Sequence, residues 1–201
     1  MRKIRKFYFS KGNHKISKHI LNWSLPSHYT CPGKGSCKTW CYSLKAEKQY
    51  SNARHSRMQN FLFSRLDEFV EEIVMYLSKR KESIVRINTD GDFYSQLYID
   101  KWIAIAEALP SKRFYGYTKS FMFDFSKIPS NMQIIQSYGS WDDSKIDTLK
   151  NTARVITDSS QLIQGEYLCP YGTVTYSGFK CGDDCDYCIK SPIVHVAFLQ
   201  H

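Results

Sequence analysis

Ile84-Val85-Arg86-Ile87-Asn88, followed by Thr89-Asp90-Gly91-Asp92-Phe93-Tyr94-Ser95 and then by the run from Gln96 to Pro110, is the stretch that decides the fold. The first five residues are short and rich in β-branched side chains, and read as a buried strand. The next seven carry Thr, Asp, Gly and Ser, and read as a loop. Over residues 96–109, Tyr98, Trp102, Ile105 and Ala106 recur at helical steps, so a helix follows, and Pro110 ends it. A strand, a loop and a helix leading to a second strand at residues 113–117 make a βα unit, which implies a parallel sheet.

The same alternation extends outward. Residues 132–136 and 153–156 read as further strands. Thr118-Lys119-Ser120, Ser137-Tyr138-Gly139 and Thr157-Asp158-Ser159 are the loops that follow strands. Residues 64–81 read as a helix, with Leu66, Phe69, Val70, Ile73, Val74 and Leu77 on one face, Ser64 as N-cap and Lys79, Arg80 and Lys81 at the end. Residues 143–150 read as a short helix, and residues 6–10 and 19–24 as strands. In parallel sheets polar chemistry gathers in the loops after the strands. Asp90, Asp92, Thr118, Lys119, Ser137, Tyr138 and Asp158 are therefore expected on one rim, together with a cysteine loop that follows the strand at 19–24. The units are too few for a closed barrel. The expected architecture is α/β: a partial (open) βα barrel with a mainly parallel sheet and cysteine-rich loops near both ends. One domain spans residues 1–201, with the first cysteine loop at 25–42, the βα core at 64–160 and the second cysteine loop at 169–190.

The composition, 42% hydrophobic and 23% charged over 201 residues, is that of a globular chain with a core. The longest apolar runs, residues 103–109 and 193–199, are too short to span a bilayer, so no membrane association is expected. The basic start at residues 2–6 leads into no apolar stretch, which argues against a secretory signal and for a cytoplasmic protein. A net charge of +9 suits attraction to a nucleic acid or nucleotide. The chain has no phosphate-binding Gly-rich loop, no recognisable Ser–His–Asp arrangement and no zinc-protease motif.

All seven cysteines fall in two short windows. An odd number cannot pair completely within one chain, and clustering beside Gly, Pro and Asp points to metal ligation. Cys31, Cys37 and Cys41 share a loop in which Gly33 and Gly35 let the backbone fold tightly. Three thiolates would leave one iron of a 4Fe–4S cluster open. The alternative is a zinc site completed by His28 or His55. Cys169, Cys181, Cys185 and Cys188 make a full set for zinc or for an iron–sulfur cluster. One cluster drawing on both windows is a third arrangement.

Several motifs carry a resemblance to the gene-product-88 family of bacteriophage proteins. They are Cys31-Pro32-Gly33 with Cys37 and Cys41-Tyr42, Ala46-Glu47-Lys48-Gln49-Tyr50, and Val85-Arg86-Ile87 leading to Gly91-Asp92-Phe93-Tyr94-Ser95. Trp102 with Ala106 and Leu109-Pro110, Phe114-Tyr115-Gly116-Tyr117-Thr118-Lys119-Ser120, the terminal cysteines, and Phe198 with His201 complete them. The resemblance implies a phage or prophage setting and a host-cytoplasmic location. More distantly, the chain resembles the radical S-adenosylmethionine superfamily, which carries three cysteines after the first strand of a partial barrel with an aromatic residue before the last. Here Trp40 precedes Cys41, with five and three residues between the cysteines, a wider spacing than that superfamily's. The resemblance implies an iron–sulfur cluster and S-adenosylmethionine as cofactors. Asp90-Gly91-Asp92 would stand where that superfamily binds the methionine amino group. Tyr94 would stack on a base, and Ser137 would complete the cofactor-binding set. Asp90, Asp92 and Lys119 are the catalytic candidates, Lys119 as an anion contact.

Each of these residues also has a plain structural reading. Asp90 and Asp92 suit a turn that caps a helix. Tyr94, Tyr138 and Trp141 suit packing, and His195 suits the sheet. Arg86, inside an apolar strand, suits an edge position, or else a buried partner for a carboxylate or an anionic ligand. His201 is near Cys188 in sequence and is a weaker ligand candidate. Three functions compete. The first is an iron–sulfur protein with a radical-enzyme-like barrel acting on a nucleotide or nucleic acid. The second is a metal-stapled phage protein that binds nucleic acid or a host protein. The third is a redox or iron sensor.

Overall fold

A computed structural model of the chain describes residues 7–171 and 178–200. Part of the strand expected at residues 6–10, the basic cluster at 2–6 and His201 lie outside the described residues. One eight-stranded sheet organises the molecule, in the order β1-β2-β3-β4-β5-β6-β8-β7. Its strands are β1 (Phe9–Lys11), β2 (Ile20–Trp23), β3 (Ile84–Ile87), β4 (Arg113–Thr118), β5 (Met132–Ser137), β6 (Thr152–Ile156), β7 (Tyr167–Leu168) and β8 (His195–Leu199). Only the β1–β2 pair is antiparallel. The fold is thus mixed α/β on a mostly parallel sheet, as the βα alternation implied.

Among the described residues five α-helices accompany the sheet: α1 (Tyr42–Gln49), α2 (Ser51–Ser64), α3 (Phe69–Ser78), α4 (Gln96–Ala108) and the single turn α5 (Tyr187–Lys190). Among the described residues no helix is long and apolar enough to cross a membrane. The helix after β3 begins at Gln96, as expected, and the Ser95 side chain caps it by accepting a hydrogen bond from the Tyr98 N–H at 3.2 Å. The expected helix at 64–81 is two elements. Ser64 closes α2, and α3 starts only at Phe69, burying Phe69, Ile73 and Leu77. At 143–150 only a 3-10 turn forms, Asp143–Lys145, because the Asp143 carboxylate bonds back to the N–H groups of Gly139 and Ser140 at 2.9 and 2.8 Å. α1 and α2 had no apolar stripe to reveal them. Their buried positions include Ser43, Glu47, Arg57 and Asn60.

Register sorts the strand residues onto two faces, since side chains alternate along a strand. Leu21, Val85, Phe114 and Met132 stand level on neighbouring strands. They pack with Phe69, Ile73, Leu77, Tyr98, Trp102 and Ile105 of α3 and α4 in the main core. Asn22, Arg86, Tyr115 and Gln133 form the adjacent level, on the opposite face. There Ile20 and Tyr115 pack with Ile16 and Ile189, and Ile135, Ala153, Val194 and Val196 pack with Cys169 and Cys188. The second cysteine segment therefore covers the face that α3 and α4 leave free. His195 is a sheet histidine, its Nδ1 2.8 Å from the Thr152 hydroxyl.

Candidate metal centre

The loop after β2 reaches across the C-terminal ends of β3, β4 and β5. The Leu25 N–H donates to the Asp90 carbonyl at 2.9 Å. The Gly33 carbonyl accepts from the Ser140 hydroxyl at 2.9 Å and from the Trp141 N–H at 3.3 Å. A Cβ on Gly33 would lie 1.8 Å from the Lys119 carbonyl oxygen, and one on Gly35 would lie 2.3 Å from the Ser140 backbone. Glycine is needed at both places because backbone meets backbone. The loop so seated carries Cys31, Cys37 and Cys41, all half-buried. Burial, then the Asp92 carboxylate, pushes the Cys31 thiol up to about 12; a backbone hydrogen bond from His28 opposes this, and Cys37 and Cys41 add to it. The Nε2 of His28 is buried with no hydrogen-bond partner. His55, the other zinc-completing candidate, packs edge-on against the Tyr8 ring instead.

The polar rim gathers beneath this loop. Asp92, 5% exposed, accepts hydrogen bonds from the Thr118 hydroxyl at 2.7 Å and from the backbone N–H groups of Lys119 and Phe93 at 2.8 and 2.7 Å. Burial pushes its carboxyl up to about 6 against the pull of those bonds. The Lys119 amino group donates to the Ser137 hydroxyl at 2.6 Å and to the carbonyl of Tyr138. Burial lowers its pKa, opposed chiefly by Cys37 and Asp92. Asp90 belongs to a second network. It is paired with Arg57 at 2.6 Å and accepts from the Ser43 hydroxyl, while Arg57 also holds Glu47 at 2.8 Å. Glu47 in turn accepts from the Ser27 N–H at 2.8 Å. Gly91 takes φ +77° and faces Thr30 and Leu25, so its part is conformational.

Asp90, Gly91, Asp92, Lys119 and Ser137 are thus brought to the rim with the first cysteines. Tyr94 is not. It stacks on Tyr98 at 4.6 Å, and its hydroxyl lies 2.7 Å from that of Ser64, toward the helix-side core. Asp158 caps its own turn by accepting from the Ser160 N–H at 2.8 Å. Sequence reading missed Arg57, Ser43 and Glu47. The one trace of them was Glu47 within a family motif.

The terminal cysteines gather elsewhere. The Cys181 N–H donates to the Lys15 carbonyl at 2.9 Å, and the Ser17 N–H to the Cys181 carbonyl at 2.8 Å, tying this segment to the chain just before β2. The Ser17 hydroxyl donates to Asp183 at 2.7 Å, and the Arg113 guanidinium at the start of β4 donates to the Ile189 carbonyl at 3.1 Å. The stretch 181–189 therefore sits toward the N-terminal ends of β2 and β4, against the free face of the sheet, while Cys169 follows β7 with its N–H on the Ala197 carbonyl. Burial pushes Cys188 up to about 12, opposed by the Tyr117 hydroxyl, with Cys181, Cys169 and Cys185 adding; burial likewise pushes Cys169 up to about 11. The thiols that act on Cys31 are Cys37 and Cys41, and those that act on Cys188 are the other three terminal ones. The two windows form two separate sets. Among the described residues, no three His, Cys, Asp or Glu side chains stand arrayed as a ligand set for a metal ion.

Fold and site define an α/β protein whose mostly parallel sheet carries one cysteine group on its C-terminal rim and another across its free face. The chain belongs to the gene product 88 family, whose profile matches residues 4–195. It is similar to the Gene 88 protein of Mycobacterium phage L5, 28% identical over 133 residues, covering 59% of this chain and 56% of that one. It is also similar to the Gene 88 protein of Mycobacterium phage D29, 26% identical over 133 residues, covering 59% and 55%. The matched region thus spans little more than half the length of these curated relatives. Neither relative's name carries an activity. No solved structure matches the chain.

Proposed function

We propose that the chain is an iron–sulfur protein of the phage-infected host cytoplasm. Cys31, Cys37 and Cys41 would hold a 4Fe–4S cluster on a partial βα barrel like that of radical S-adenosylmethionine enzymes, and the four terminal cysteines would hold a second metal centre. The observation that carries this reading is the placement of three half-buried cysteines on the C-terminal rim, with Cys37 and Cys41 within electrostatic reach of Cys31. Buried thiols are poor thiolates without a neighbouring cation, and a bound metal supplies that charge. When bound, the cluster would supply electron-transfer or radical chemistry. The chain's own residues have separate tasks. Gly33 and Gly35 seat the loop, Lys119 sets a positive charge beside it, and Asp92 fixes the Lys119 backbone. S-adenosylmethionine would lie near Asp90, Gly91, Asp92 and Ser137. Both carboxylates are already engaged inside the protein, which favours positioning over direct proton transfer for Asp90 and Asp92. The +9 charge favours a nucleotide or nucleic-acid substrate.

One observation favours a second reading. The unpartnered, buried Nε2 of His28 lies in the same loop as three cysteines, a donor set suited to zinc. The protein would then be a metal-stapled module that binds nucleic acid or a host protein. Iron, sulfide and zinc analysis of anaerobically purified protein, with its visible spectrum, separates the two. Wild type is expected to hold iron and sulfide, and a Cys31/Cys37/Cys41→Ala variant to lose a defined share while the terminal group keeps its metal. Zinc alone, with no broad visible absorption, overturns the iron–sulfur reading in favour of the zinc module.

A further inference from the structure

The level Asn22, Arg86, Tyr115 and Gln133 crosses four neighbouring strands on the free face of the sheet. It lies between the two cysteine sets. Arg86 is within electrostatic reach of Cys181 on one side and of Tyr42, which adjoins Cys41, on the other. Three polar atoms along this level, Arg86 Nε, Tyr115 Oη and Gln133 Nε2, are buried without a well-formed hydrogen bond, although the Arg86 guanidinium and the Tyr115 hydroxyl lie near enough to interact with each other. Tyr115 is 2% exposed. The Arg86 guanidinium lies 5.8 and 5.3 Å from the ring centres of Tyr115 and Tyr117. No acidic side chain pairs with it among the described residues.

Leaving one buried donor unpaired costs about 1–3 kcal/mol, and native proteins keep few of them. Here three such atoms share one level: Arg86 and Tyr115 satisfy each other only in part, Gln133 stays unpaired, and a permanent positive charge stands at one end. They span two strand spacings, on the order of 10 Å, which exceeds a lone carboxylate. The arrangement suits a ligand with an anionic head at Arg86 and a second acceptor further along, toward Gln133.

We propose that this level is the binding site for an anionic small molecule whose carboxylate or phosphate head is held by Arg86 and Tyr115. The site lies beside the terminal cysteine group and near Tyr42, but does not depend on either cysteine group holding a metal.

The test is isothermal titration and thermal-shift measurement with inorganic phosphate, acetate, citrate and adenosine monophosphate, each against sodium chloride at equal ionic strength. Wild type, Arg86→Met and Tyr115→Phe are compared, with metal content recorded for each and the titrations repeated after chelator treatment. One of the phosphate or carboxylate probes is expected to bind wild type, which assigns the head group. Affinity is expected to fall roughly ten- to hundredfold in Arg86→Met and several-fold in Tyr115→Phe. The phenylalanine variant keeps the ring packing, so it decides the matter if the methionine variant does not fold. The proposal is overturned if no probe binds wild type beyond the chloride control, or if the variants that fold bind as wild type does. It is also overturned if Arg86→Met instead sheds metal from the terminal cysteines, because the guanidinium would then serve as their counter-charge. Anion binding by a protein that carries neither iron nor zinc as purified sinks the metal reading alone. A metal-loaded protein that ignores every anion sinks this proposal alone.

Discussion

At the scale of single residues, Asp92 is a carboxyl whose burial outweighs three hydrogen bonds. Its proton is held more tightly in the folded state than in the unfolded chain, so its protonated form stabilises the fold below about pH 4. That contribution fades as pH rises through about 6, the folded value. Denaturation curves for wild type and Asp92→Asn are expected to diverge in that direction. Wild type should lose roughly 3 kcal/mol relative to the variant between pH 4 and 6, then hold level. A flat difference across that range would show that the hydrogen bonds dominate. Gly33 makes a sharper residue-level prediction. An added Cβ meets the Lys119 carbonyl at 1.8 Å, so Gly33→Ala is expected to unseat the first cysteine loop and cost about 1–3 kcal/mol in thermal denaturation. Gly165→Ala is the control. Nothing lies within 4 Å there, and only the strain of φ +88° is added.

At the scale of elements, Arg57 binds α1, α2 and the loop after β3 through Glu47, Ser43 and Asp90. Removing one partner of a buried ionic network leaves the others uncompensated. Arg57→Met is expected to cost about 3–5 kcal/mol in urea unfolding, and Lys, lacking the fork, is expected to rescue only part of it. This network was also the part of the site least legible in sequence. β3, α4, β4 and the loops after them could be read because strand and helix periods alternate cleanly and Pro110 marks the end of the helix. α1 buries Ser43 and Glu47, and α2 buries Arg57, Asn60 and Ser64 beside Phe61 and Phe63, so hydrophobic periodicity was weak there. The cysteine windows stood out by clustering alone. That the second one crosses to the N-terminal side of β2 depends on contacts with Lys15 and Ser17, more than 160 residues away, which no local pattern encodes.

At the scale of the whole molecule, the two cysteine sets hold different parts of the sheet. If metal secures them, chelation should raise hydrogen exchange in residues 25–41 and 178–190 while the α3–α4 core stays protected, because that core packs on the opposite face. Uniform deprotection would mean that the terminal segment folds together with the core. The net charge of +9 makes a further whole-molecule prediction. Any binding to DNA or RNA should weaken steeply with salt, and a salt-insensitive complex would argue for a protein partner. The strand order bears on how the protein is born. β8 slots between β6 and β7, so as the ribosome delivers the chain, β6 and the cysteine-bearing stretch after β7 both wait with open hydrogen-bonding edges until β8 emerges. Sheet completion therefore waits for β8. A nascent chain stalled ahead of residue 195 should be a far better client for chaperones, and for stray metal, than the released protein.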